Sequence, residues 1–148
     1  MIKSAILGVL FFMSIIGFNN APNFVVEYHE LATKEAELSY IKKYKNSKEV
    51  SIQAYVVSLQ MKQAKYKMMP WSKLKVFNTE KNKLETLISK NPNNIHLRYV
   101  RLVIQENTPS ILGYKSSIKK DKQFLKEALQ KKDSTNYLHT YIINNTSL

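Results

Sequence analysis

The sequence predicts an all-α protein of about five to six helices, stacked as helical hairpins behind an N-terminal signal peptide. Three observations lead there. Glycine occurs only 3 times in 148 residues, and tight hairpins, sandwiches and phosphate-cradling loops all lean on glycine. Lys, Leu, Gln, Glu, Ala and Met are plentiful, and all are good helix formers. Apolar residues recur at three- and four-residue spacing, and no segment sustains strand-type alternation.

The N-terminus reads as an export signal. "MIKSAILGVLFFMSIIGFNNAPN" has Lys3 and then an apolar run of 14 residues over 5–18. That length suits a secretory signal and falls short of the roughly 20 residues that a membrane span needs. A signal peptide over 1–21, cut near Ala21, leaves 22–148 as a single helical domain. Asn19 and Pro22 depart from a small-residue cleavage site, so an uncleaved membrane anchor is the alternative. The expected location is the periplasm or cell envelope. The chain has no cysteine, which closes the lipoprotein route and excludes disulfides, thiol catalysis and thiolate metal sites. Stability must come from the core.

The remaining elements follow from their punctuation. Thr33 caps a helix over 34–45, with Leu38, Ile41 and Tyr44 on one face. "KNSKE" breaks the pattern, and Ser47 caps a helix over 48–68 that carries Val50, Ala54, Val57, Met61 and Ala64 at helical spacing. Pro70 ends it and suits the start of a third helix, 71–90, with Leu74, Phe77, Leu84, Leu87 and Ile88 together. "KNPNN" closes that helix and opens a fourth over 94–106. Pro109 and Gly113 mark an irregular link to a fifth over 117–131, and a short sixth over 135–143 presents Tyr137, Leu138, Tyr141 and Ile142. The run "LETLISKNPNNIHLRYV" resembles the join between tetratricopeptide repeats. No 34-residue self-similarity runs through the chain, so the architecture is TPR-like without a true repeat.

The fourth helix carries the candidate site. On a helical wheel Ile95, Leu97, Tyr99, Val100, Leu102, Val103 and Ile104 cover more than half the circumference. Arg98, Arg101 and Gln105 share the remaining strip, and His96 lies within the apolar arc. Two guanidinium forks at i, i+3 can each take a carboxylate or phosphate. The bland reading pairs them internally, with Asp121 or Glu106 as partner. His96 reads as a structural histidine, because His29 and His139 are far from ligand spacing and no metal site is expected.

The net charge is +12. Lysines and glutamates balance five to five over 24–50, whereas 61–90 has eight lysines against two glutamates. Such an excess points to acidic partners: an acidic protein surface or anionic lipid headgroups. Export argues against nucleic acid. Hydrolase, phosphate-loop, dinucleotide and zinc-protease motifs are all missing, and no cofactor is implied.

"LRYVRLVIQENTPSILGYKSSIKKDKQFL" resembles the signature of a family of small exported proteins of unknown function in Bacteroidota. Its pattern is L-R-x-x-R-x-x-x-Q, then P-x-x-L-G-Y, then I-x-x-D-K-x-F. The resemblance covers about 50–145 and implies a small helical envelope domain in which Arg98, Arg101, Gln105 and Asp121 form one connected polar group. It implies no activity. The function expected is a non-enzymatic periplasmic module that binds or scaffolds another envelope protein. A basic binder of anionic membrane surface is one alternative, and an enzyme centred on His96, Arg98 and Arg101 is another.

Overall fold

The computed structural model describes residues 20–148. The expected export segment, with its apolar run at 5–18, lies outside the described residues. The described chain is all-helical, with no strand among those residues: α1 (Asn23–His29), α2 (Lys34–Tyr44), α3 (Val50–Lys62), α4 (Pro70–Lys90), α5 (Ile95–Asn107), α6 (Ile118–Leu129) and α7 (His139–Asn145). Short 3-10 turns occupy Gln63–Tyr66, Ser110–Leu112 and Asn136–Leu138.

Two helices form the centre. α3 is apolar nearly all round, and Ala54 to Leu59 and Met61 are buried. α5 is buried continuously from Ile95 to Leu102. They pack on each other; α3 also meets α2 and α4, and α5 meets α4 and α6. Successive helices therefore pair as antiparallel hairpins around a shared apolar seam.

Local chemistry places most boundaries. The Thr33 hydroxyl accepts the Ala36 N–H at 3.1 Å and starts α2. The Asn94 side chain accepts the Leu97 N–H and donates to Ser51, both at 3.1 Å, so one residue caps α5 and ties it to α3. Pro70 occupies the first turn of α4, where its missing N–H costs nothing.

Several boundaries and faces differ from those that periodicity suggests. α1 is an additional short helix, anchored by buried Phe24 and Val25 and by the Tyr40 hydroxyl, which donates to the Phe24 carbonyl at 2.8 Å. Ser47 does not cap α3. Its hydroxyl accepts the Glu49 N–H at 3.2 Å in a turn, and the helix starts at Val50. α3 gives way to a 3-10 turn after Lys62, and Lys67 and Met69 are extended ahead of Pro70, so the helix stops short of 68. In α2 the inner face is Glu37, Tyr40, Ile41 and Tyr44, while Leu38 is 46% exposed. Buried Glu37 is covered by Lys62 at 2.6 Å and Gln63 at 2.8 Å, so an ion pair took the position that hydropathy assigns to leucine.

Leu102 and Leu38 test this division. Leu102 is fully buried, so Leu102→Ala should cost about 2–5 kcal/mol in urea denaturation. Leu38→Ala should stay within about 0.5 kcal/mol of the parent.

Candidate functional site

A helix enclosed on every side must neutralise its polar side chains from within the protein. Arg98 and Arg101 stand one turn apart on α5, only 5% and 4% exposed. Asp121, fully buried, faces them from the first turn of α6, where the helix dipole favours a carboxylate. Its Oδ1 accepts from Arg98 at 2.8 Å and from Arg101 at 2.7 Å, and its Oδ2 accepts Arg101 Nε at 2.6 Å. The Arg101 contact is a bidentate fork, the strong form of this pair.

Further contacts hold both guanidiniums. Arg98 Nε donates to the Pro92 carbonyl at 2.9 Å, and its guanidinium lies over the Phe124 ring at 5.1 Å. Arg101 reaches Glu85 on α4 at 2.7 Å. The Tyr114 hydroxyl, from the link between α5 and α6, donates to the other Glu85 oxygen at 2.5 Å. Two guanidiniums thus face two carboxylates. Burial lowers the Arg101 pKa, but Asp121 and Glu85 together outweigh it, and the net direction is up. Burial and the bond to Glu85 push the Tyr114 phenol well above its usual range, so it remains a donor.

The structure brings Arg98, Arg101 and Asp121 together. It does not bring in Gln105, whose side-chain amide is fully buried with no hydrogen-bond partner among the described residues. The helical pattern puts Gln105 on the arginine side of the wheel, but the Asp121 and Glu85 oxygens bond Arg98, Arg101 and Tyr114 and not the Gln105 amide. Glu106 does not pair with the arginines either; it takes Lys122 at 3.4 Å and the Ser147 N–H at 3.0 Å. Sequence reasoning missed Glu85 and Tyr114 as members of the set. Tyr114 stands inside the L-G-Y element of the family pattern, which is the one signal that pointed to it.

His96 is buried between two phenols. Its Nδ1 lies 2.8 Å from the Tyr55 hydroxyl and its Nε2 3.0 Å from the Tyr137 hydroxyl. A neutral imidazole satisfies both, with one nitrogen donating and the other accepting. His29 is placed similarly. The Val25 carbonyl can only accept, so Nδ1 carries the proton at 2.7 Å, and Nε2 faces the Tyr99 hydroxyl at 2.8 Å. Burial pulls His29 down, and burial, with a lesser push from His29, pulls His96 down to about 4. Among the described residues no group of three or more His, Asp or Glu could hold a metal.

Several features face solvent. A groove of about 540 Å³ runs between α2, α3 and α4, and another of about 520 Å³ lies among Tyr28, Met61, Lys62, Phe77 and Ile104. In the first groove, the side chains divide by position. Tyr44, Val56, Val57 and Leu87 form its floor, Gln53, Gln60, Thr79, Asn82 and Thr86 its walls, and Lys45 and Lys83 its rim. The bend between α3 and α4 exposes Met68, Met69, Trp71 and Leu74. Compared as a whole, the chain matches no family model, no curated protein and no solved structure.

Removing one partner of the buried set should be costly. Arg98→Ala is expected to lose on the order of 3 kcal/mol, and Asp121→Ala more, because it strands Arg98 and leaves Arg101 with Glu85 alone; chemical denaturation measures both. Acid should also destabilise the fold through His96. Above pH 6.5 the ring is neutral whether the chain is folded or not, and contributes no pH dependence. Between 6.5 and about 4 the unfolded chain binds a proton that the folded chain refuses. Stability should therefore fall by on the order of 3 kcal/mol across that window. Urea midpoints at pH 7 and pH 5 should separate less in His96→Gln than in the parent.

Proposed function

We propose that this chain is a non-enzymatic binding module of the cell envelope, and that its groove between α2, α3 and α4 holds an extended, acid-bearing segment of another envelope protein. The observation that carries this reading is the groove's chemistry. Its floor is apolar, and the Gln60 and Asn82 amides, the Thr79 hydroxyl and the Lys45 ammonium line it without a side-chain hydrogen bond or ion pair among the described residues. An extended peptide offers backbone N–H and C=O groups in alternation. Side-chain amides match both, since each carries a donor and an acceptor. Lysines at the rim select carboxylates. Gln53 is less free, because its amide donates to the Ser47 carbonyl at 3.0 Å, and Lys83 is shared with Glu80 at 2.8 Å.

The same logic assigns Arg98, Arg101 and Asp121 to the scaffold. Each guanidinium already holds its anion, and a ligand carboxylate would have to displace one that is fully buried. His96 likewise has both nitrogens engaged.

Mild crosslinking in native envelopes, followed by purification of the tagged chain, tests the reading. The parent should retain a protein partner. A Gln60→Ala, Asn82→Ala double variant should lose about tenfold in capture, the worth of roughly two hydrogen bonds, with an unchanged thermal melt. A parent that retains nothing ends the proposal, and a double variant that captures as well as the parent removes the groove from it.

A further inference from the structure

We propose that the bend from Lys65 to Lys75 is a membrane-docking knuckle that seats on an anionic lipid bilayer. The inward stripe of α4 is Phe77, Leu84 and Ile88. Followed back at the same helical spacing, it reaches Leu74 and Trp71, but the core has ended there, and these are 48% and 68% exposed. Met68 and Met69, just before the helix, are 90% and 48% exposed. Single exposed apolar residues are ordinary on a protein surface; four large ones within seven residues of one projecting bend mark a contact surface.

The knuckle is preformed. The 3-10 turn ends at Tyr66, Lys67 and Met69 are extended, and Pro70 fixes the first turn of α4. The bend therefore presents its side chains without an ordering step on contact.

Charge selects the occupant. Lys65, Lys67, Lys73 and Lys75 are all exposed, and 65–75 contains no Asp or Glu. Lysines are depleted from protein–protein interfaces. A headgroup layer accommodates the whole set. Lysine stems lie along apolar surface while the ammonium groups reach lipid phosphates. Tryptophan settles at headgroup depth, and methionine and leucine reach the acyl boundary. No helix among the described residues is long and apolar enough to cross a membrane, so this contact lies in the interface. The groove uses Thr79, Asn82, Lys83 and Thr86 of α4 and none of the knuckle, so the two surfaces can be engaged together.

Trp71 is the only tryptophan in the chain, so its emission reports the knuckle alone, whatever the apolar run at 5–18 does. The purified full chain is titrated with phosphatidylcholine vesicles, with and without phosphatidylglycerol. Emission should shift to the blue only with the anionic vesicles, and brominated lipid should quench it. Added salt should reverse the shift. Lys67→Gln and Lys73→Gln should each weaken binding about fivefold. Met68→Asp should abolish the shift with an unaltered circular dichroism spectrum. Unmoved emission at low salt overturns the proposal. So does an equal shift with neutral vesicles, or shielding of Trp71 only by a captured protein. The Gln60→Ala, Asn82→Ala variant should bind vesicles like the parent, so loss of the groove and loss of the knuckle are read separately.

Discussion

Asp121 holds two guanidiniums inside a helical core, and the arrangement of α4, α5 and α6 depends on that pairing. A buried carboxylate or guanidinium alone is too costly to keep. Together with Glu85 they neutralise one another, and each accepts or donates along fixed directions. Replacing such a set with apolar residues is often no worse for stability. What the charges impose is register: α6 can slide or rotate on α5 only by breaking a two-pronged contact. The Pro92 carbonyl and Tyr114 extend the same constraint into the turns on either side of α5.

The other half of the core solves a related problem with neutral groups. Tyr28, Tyr55 and Tyr99 crowd against His29 and His96, with ring centroids mostly between 4.6 and 6.2 Å apart. Phenols and imidazoles bury large apolar area while exchanging hydrogen bonds at their tips. This lets α1, too short to hold itself, dock on α3 through Tyr28, on α5 through His29 and on α2 through the Tyr40 bond to Phe24. A chain without cysteine is thus held by one ionic contact set and one aromatic set, at opposite faces of α5.

Much of the fold was legible because its signals are local. The cap at Thr33 and the helix start at Pro70 depend on neighbours only a few residues away, and both stand. The errors fall where distant residues decide. Leu38 lost its inward place to Glu37 because Lys62 and Gln63 arrive from α3. Leu74 fits the α4 stripe but lies beyond the end of the core, and periodicity carries no information about where a core stops. The meeting of Arg98 and Arg101 with Asp121 was readable because charges in an enclosed helix need a partner of opposite sign. Glu85 and Tyr114 were not, since nothing along the chain measures the distance from α4 to the α5–α6 link. Gln105 fell on the arginine side of the wheel, yet a wheel gives direction without reach.

The ionic set also governs how the molecule opens. Lifting α6 away by itself would strip Asp121 from both guanidiniums and leave Arg98 without a counter-charge, while Arg101 kept Glu85. Opening there therefore breaks three charge-assisted hydrogen bonds at once, which ties α6 to α5 as one cooperative unit. The bend at Met68 to Trp71 has no part in that bond set. The surface offered for contact and the hairpins that carry it are thus held by separate interactions.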